Sequence, residues 1–313
     1  MPTAEQLKVV PEGKYADVGD GLRMHYHDVG PADASQVLLW IHGSGPGASG
    51  YSNFKRNYPY FAERGYRCLV PDTLGYGYSS KPEDGDYGSA YLAAKYQRLL
   101  EAAGVSQASV IGNSQGGNLS IQLALDHPSS VQRLVLMAPG GLEQREVYLQ
   151  MEGIQAMMKS FFAKDGITRE GLRSTFKLQL FDERLITDQI IEERFQIAVT
   201  QPKSVIAKMK VAFLAERLKE LTQPVFGLWG VEDKFCPVSG ASTIAREVRG
   251  AKVLLLNGCG HWVMVEQAAL FNSLCLQFFE GAPGFEAADL EAAGSRAAER
   301  LGAPGPTTPA GER

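Results

Sequence analysis

The sequence predicts an α/β protein, a mostly parallel, doubly wound sheet interrupted by a helical insertion. Three observations carry this. Short apolar runs recur along the 313 residues, and most of the later ones are rich in β-branched residues and leucine without polar alternation, as strands covered on both faces read. Helical-period stretches separate them, and strands alternating with helices argue for a parallel α/β sheet. The alternation stops between about 142 and 220 and resumes at 224.

Taken in order, residues 14–29, including LRMHYHDV (22–29), read as an antiparallel hairpin at the sheet edge. The other strands are VLLWI (37–41), CLVP (68–71), ASVIG (108–112), RLVLMA (133–138), PVFGLWG (224–230) and KVLLLN (252–257). YGSAYLAAKYQRLLEAAG (87–104) places Tyr91, Ala94, Leu99 and Leu100 near one helical face and ends at Gly104. SQGGNLSIQLALDHP (114–128) ends at Pro128, which cannot continue a helix. Residues 142–220 carry Met, Gln, Glu and Lys at helical spacing with no strand-like run. They read as roughly four short helices placed where a lid would sit, at the C-terminal edge of the sheet. The expected division is a core in two parts, 1–141 and 221–281, a helical lid over 142–220, and a flexible tail over 282–313. That tail is rich in Ala, Gly and Pro and too poor in large apolar residues to build a core.

Apolar residues make up 44% and charged residues 21% of the chain, the balance of a soluble globular enzyme. The formal net charge is −4, so there is no electrostatic footprint for nucleic acid. No apolar run approaches the roughly 18 residues of a membrane span, and MPTAEQLKVVPEGKY at the N-terminus lacks the apolar stretch of a signal peptide. Cys68, Cys236, Cys259 and Cys275 form no CxxC pair, which argues against a zinc site or a disulfide framework. The expectation is a cytoplasmic protein that acts on a small-molecule substrate, with neither nucleic acid nor membrane as partner.

The stretch VIGNSQGG (110–117) follows a strand-like run and opens a helix, with the spacing Gly112-x-Ser114-x-Gly116. A nucleophile on a sharp strand-to-helix turn needs small neighbours because the turn crowds both flanks. The helix N-terminus favours developing negative charge. Read more plainly, Ser114 is a helix cap in a glycine turn. A nucleophilic serine needs a base. Of the five histidines, His25 and His27 lie in the hairpin and His127 precedes Pro128 at a helix end; only His42 and His261 follow strands, where α/β active sites collect. The base of such an arrangement comes last in the chain, after the acid, which selects His261. The acid that orients it should follow a strand between Ser114 and His261. Asp233 does, with Glu232 beside it as the alternative. Oxyanion donors are expected from the backbone N–H of Gln115 and from the loop HGSGPGASG after strand 37–41, by position the N–H of Ser44 with Gly43 nearby.

These residues sit within a broader pattern: HGSGPGASGYSNF (42–54), GNSQGG (112–117), APGGL (138–142), MEGI (151–154), GVEDKFCP (230–237) and CGHWVMVEQAALFN (259–272). From about 20 to 281 the chain resembles the α/β-hydrolases and, more narrowly, the meta-cleavage product hydrolases. These are serine-dependent C–C bond hydrolases of bacterial aromatic-compound degradation. The resemblance implies Ser114 as nucleophile, His261 as base and Asp233 as acid. It implies that Asn53 and Asn113 hydrogen-bond the substrate, that Arg194 binds its carboxylate with Trp262 at the same polar end, and that Ile154, Met157, Phe235 and Cys236 line the apolar part of the pocket. It implies no metal or organic cofactor, and a homo-oligomer, dimer or higher. Ser44 and Gln115 depart from the pattern, being polar where relatives often carry glycine and an apolar residue. Without the resemblance, an arginine in a helical EERFQ would be read as a solvated surface charge. Two other functions stay open. A carboxylesterase or lactonase would use the same triad, and a ligand-binding protein on this fold would use none of it. A dehalogenase or epoxide hydrolase needs a carboxylate where Ser114 stands.

Overall fold

The computed structural model describes residues 10–164 and 166–285; most of the expected flexible tail, 286–313, lies outside the described residues. β1 (Lys14–Asp17) and β2 (Arg23–Val29) form the edge hairpin, with Lys14 opposite Tyr26. β3 (Val37–Ile41) runs through a glycine-rich loop into α1 (Gly50–Phe54) and α2 (Tyr58–Ala62). Next come β4 (Arg67–Pro71), the two-residue β5 (Tyr87–Gly88) and α3 (Ser89–Ala102). β6 (Ala108–Asn113), α4 (Gln115–Asp126) and β7 (Val131–Met137) complete the first half. The segment that follows holds α5 (Arg145–Gln150), α6 (Glu152–Phe161), α7 (Arg169–Gln179), α8 (Asp188–Ala198), α9 (Lys203–Ala207) and a short β8 (Met209–Lys210). The chain then returns to the sheet with β9 (Val225–Gly230), α10 (Ser239–Glu247), β10 (Lys252–Leu256), α11 (Val263–Glu266) and α12 (Ala268–Glu280).

Eight strands form one sheet in the order β1-β2-β4-β3-β6-β7-β9-β10. β2 is antiparallel to both its neighbours and every pairing from β4 to β10 is parallel. Alternation along β3 shows why its sequence is apolar throughout. Leu38 and Trp40 pack into a core with Phe54 and Phe61 from α1 and α2 and Phe271 from α12. Leu39 and Ile41 pack into the opposite core with Leu92 and Leu99 of α3 and Leu119 of α4. Each such side chain removed from water contributes roughly 1.5–3 kcal/mol, and a strand between two helical layers collects it on both faces.

The structure departs from the sequence reading at four places. β10 is the sheet edge, so Leu255 is 49% exposed despite its apolar run. On α3 the buried face is Leu92, Ala93, Tyr96, Leu99 and Leu100, while Ala94 is exposed; the helix is rotated by about one residue from the expected face. The segment expected to be entirely helical contains β8, which pairs with β5 through Tyr87 and Met209. Phe285, inside the expected tail, packs on the rings of Phe226 and Phe278.

Candidate active site

β6 ends at Asn113 and α4 begins at Gln115, so Ser114 alone makes the turn. It does so with φ 57° and ψ −121°, a backbone that a residue with a side chain rarely adopts and that persists only where its surroundings hold it. Ser114 N–H donates to Met137 O at 2.9 Å, and its carbonyl accepts from Asn118 and Gly140. The flanking glycines are there for space. A Cβ on Gly116 would stand 2.1 Å from Ile41 O, and one on Gly112 would stand 2.3 Å from Ser120 Oγ. The turn therefore brings α4 hard against the end of β3 and projects the serine at the C-terminal edge of the sheet.

His261 and Asp233 come from the loops after the last two strands, β10 and β9. His261 Nδ1 lies 2.7 Å from Asp233 Oδ2, both side chains being shielded from water. The other carboxylate oxygen accepts Phe235 N–H at 2.7 Å and Cys236 N–H at 2.9 Å, so it holds one orientation. Glu232 faces elsewhere and accepts Cys259 N–H at 3.0 Å; of the two candidate acids, only Asp233 meets the imidazole. Phe235 stacks on the His261 ring at 5.1 Å, and His261 N–H donates to Gln179 O at the end of α7. Ser114 and His261 border the same cavity. No hydrogen bond between Ser114 Oγ and His261 Nε2 is formed among the described residues, and such contacts commonly tighten only with substrate bound. The Ser114 hydroxyl instead lies against the Cys236 thiol, which burial pushes well above the usual range.

The loop after β3 forms the facing wall. A Cβ on Gly43 would stand 3.0 Å from Ser114 Cβ, which places that backbone directly against Ser114. Ser44 and Pro46 line the cavity. Neither the Ser44 nor the Gln115 amide has an acceptor among the described residues. The cavity also takes in Ile154 and Met157 from α6 and Phe235.

Arg194 of α8 closes the other side of the same cavity and is only 2% exposed. Its guanidinium donates to Asn53 Oδ1 at 2.8 Å and lies over the ring of Trp262 at 4.7 Å and that of Phe176 at 5.6 Å. Its Nε has no partner among the described residues. The adjacent Glu193 pairs with Lys55 instead, so among the described residues no carboxylate reaches Arg194. Burial pushes its pKa down to about 9, which leaves it charged at neutral pH. An unpaired buried cation is expensive, and this one is aimed into a cavity with a serine and a histidine.

The expected residues are thus brought to one place, but not all to the cavity wall. Cys236, expected to line the apolar part, does not border the cavity, and Asp233, Gly43 and Gln115 adjoin those that do. Ser44, Ser114, Ile154, Met157, Arg194, Phe235 and His261 reach the cavity wall. Asn53 and Trp262 stand behind Arg194, and Asn113 is buried with its Nδ2 on Met137 O and His261 O and its Oδ1 without a partner among the described residues. The expectation did not include Leu172, Thr175, Phe176 and Gln179, four cavity residues on one face of α7. Their i, i+3, i+4, i+7 spacing was visible as a helical face, but periodicity does not tell what the face covers.

A sequence profile of the α/β-hydrolase fold matches residues 36–268. The chain is 31% identical over 265 residues to a 2-hydroxy-6-oxo-6-phenylhexa-2,4-dienoate hydrolase of Burkholderia cepacia, covering 82% of this chain and 91% of that protein. It is 32% identical over 277 residues to a 2-hydroxy-6-oxononadienedioate/2-hydroxy-6-oxononatrienedioate hydrolase of Burkholderia vietnamiensis, covering 85% and 94%. Among solved structures it is similar to the meta-cleavage product hydrolase CumD of Pseudomonas fluorescens IP01, with TM-score 0.76 and 28% identity over 86% of this chain and 98% of that one.

Proposed function

Because this chain belongs to the α/β-hydrolase family and, within it, to the meta-cleavage product hydrolases, we propose that its cavity hydrolyses a C–C bond of a 2-hydroxy-6-oxohexa-2,4-dienoate. The products are a 2-hydroxypenta-2,4-dienoate and a carboxylic acid. The observation that carries this reading is Arg194, a buried guanidinium that has no counter-ion among the described residues, in the cavity that holds Ser114 and His261. A dienoate brings a carboxylate remote from the bond that breaks; a simple ester brings none.

In this reading Asp233 keeps the His261 proton on Nδ1 and leaves Nε2 free as the base. Ketonisation of the dienol first converts the leaving fragment into one whose carbon can accept the electron pair of the breaking bond. Ser114 and His261 promote addition of oxygen at the distal ketone, the C–C bond breaks, and the second oxygen of the acid product derives from water. The Ser44 and Gln115 N–H groups meet the oxygen that becomes negative, each such donor being worth about 10²–10³ in rate. Arg194, held from behind by Asn53, binds the carboxylate end, while Ile154, Met157 and Phe235 surround the distal substituent.

Replacing Arg194 separates this reading from an esterase. Arg194→Ala should lower kcat/KM for a 6-methyl or 6-phenyl dienoate by about 10- to 150-fold, the loss of one charge-assisted contact of about 1.5–3 kcal/mol. It should leave hydrolysis of a neutral aryl acetate near the wild-type rate. Arg194→Lys should recover only part, since an ammonium lacks the planar fork. Equal rates of wild type and Arg194→Ala on the dienoate, or no dienoate turnover by the wild-type protein, would overturn the proposal.

A further inference from the structure

His42 follows β3 directly and is 1% exposed; the reaction described above gives it no part. Both of its ring nitrogens are engaged. Nε2 lies 2.9 Å from Thr73 N and Nδ1 lies 2.7 Å from Gly43 O. A backbone amide can only donate and a carbonyl can only accept, so the two partners dictate one state of the ring. It is neutral, its proton is on Nδ1, and it donates that proton to the Gly43 carbonyl. Burial pushes its pKa down to about 4, in keeping with a ring that stays neutral. The support continues outward. Thr73 follows β4, the sheet neighbour of β3, and its hydroxyl lies 2.5 Å from Tyr96 Oη, while the Tyr76 ring meets the imidazole edge-on at 5.5 Å.

The carbonyl that His42 holds belongs to the same peptide group as the Ser44 N–H. No peptide among the described residues is cis, and in a trans peptide the C=O and N–H point in opposite directions. Anchoring one end therefore aims the other. This peptide needs an anchor, because the loop around it is rich in glycine and Gly45 and Gly47 have φ of 138° and 68°, so the local backbone alone does little to fix its tilt. The Gly43 backbone lies against Ser114, Ser44 borders the cavity, and the Ser44 amide has no acceptor among the described residues.

We propose that His42 is a positioning residue for the reaction: its Nδ1–H, by holding the Gly43 carbonyl, aims the Ser44 N–H at the oxygen that becomes negative at Ser114. The proposal rests on Ser44 being an oxyanion donor. It predicts a specific asymmetry between two substitutions. The carboxamide nitrogen of asparagine occupies the place of Nδ1 and can donate to Gly43 O. The longer glutamine can instead place its oxygen at Nε2 and accept from Thr73.

The test compares His42→Ala, His42→Asn and His42→Gln with wild type, measuring kcat and KM on a dienoate and on a neutral ester, with thermal unfolding alongside. His42→Ala should lower kcat by about 10²–10³-fold on both substrates, the effect of one lost oxyanion donor. KM should stay within about 3-fold, because the interaction is made in the transition state. His42→Asn should recover most of kcat and His42→Gln should recover stability without kcat. Recovery by Gln rather than Asn would make His42 a support for Thr73 alone and overturn the proposal. In the wild-type protein, 15N chemical shifts of the His42 ring should report the Nδ1–H tautomer, and an Nε2–H tautomer would overturn it whether or not the variants fold. A structure with a boronic acid on Ser114 separates the two layers. A boronate oxygen beyond about 3.2 Å from Ser44 N removes the oxyanion reading itself. An oxygen within that distance, together with an unimpaired His42→Ala, removes only the role of His42.

Discussion

Ser114 holds φ 57° at the one residue between β6 and α4, where the chain must change direction. Such a conformation costs on the order of 1–3 kcal/mol, and here Gly112 and Gly116, with no Cβ to clash, let the elements on either side close around it. Its partners set the expected hierarchy of substitutions. Ser114→Ala and His261→Ala should each lower dienoate turnover by about 10⁴-fold or more, with circular dichroism unchanged. Asp233→Asn should cost about 10⁴-fold, since the amide can favour the wrong imidazole tautomer. Glu232→Gln should be nearly silent, because its carboxylate only accepts Cys259 N–H and an amide oxygen can do the same. Loss of the dienoate absorbance reads all four, and a silent Asp233→Asn with a dead Glu232→Gln would reverse the assignment of the acid.

At the scale of elements, the segment between β7 and β9 is stapled to the core at its C-terminal end. Ser89, the first residue of α3, accepts Ala212 N–H at 3.0 Å, and its hydroxyl lies 2.6 Å from Asn118 Oδ1 on α4. The Asn118 amide donates to Gly140 O and Ala212 O. The β5–β8 pairing runs alongside through Tyr87 and Met209. The staple thus joins α4, the helix that follows Ser114, to the segment that supplies Arg194. Ser89→Ala leaves the part-buried Ala212 N–H without its acceptor, and unfolding in urea should show a loss of about 1–3 kcal/mol. An unchanged midpoint at unchanged slope would mean that water replaces the hydroxyl at no cost.

On the scale of the whole molecule, the cavity and the proton balance both matter. The space inside the site is about 20 Å³, room for a single water and less than a dienoate fills. Stability should also respond to acid through His42. Its folded pKa is about 4 against an ordinary 6.5; burial is the main cause, the Arg194 charge acts in the same direction, and the Asp72 carboxylate and the Gly43 carbonyl oppose it. The unfolded chain takes up the proton as pH falls through 6.5 while the folded chain refuses it until about 4. The stabilisation is therefore complete above 6.5, declines across that window and is gone below it. At about 1.4 kcal/mol per unit it amounts to roughly 3 kcal/mol. Burial also pushes the His27 pKa down, which adds a loss of the same sign. Urea unfolding at pH 7.5 and 4.5 should show His42→Gln losing less stability between the two than wild type; parallel losses would exclude His42 as a source.

What the sequence by itself determined is whatever periodicity and local stereochemistry control. The strands with two covered faces announce themselves as apolar runs, and a serine between glycines at a strand-to-helix junction announces a strained turn. That Ser114, the carboxylates at 232 and 233, and His261 fall in this order just past strands follows from where those strands end. What only the tertiary structure decided is contact between segments distant in the chain. An arginine in EERFQ reads as a surface charge until α8 folds over Asn53 and Trp262 and removes it from water. Asp233 and Glu232 are indistinguishable by position until one meets His261 and the other Cys259. The face of α7 that borders the cavity, and the meeting of His42 with Thr73, depend on which loops lie side by side, and strand order across the sheet sets that. Local patterns carry the energy of each element, whereas burial and hydrogen-bond pairing between elements exist only once the chain has closed on itself.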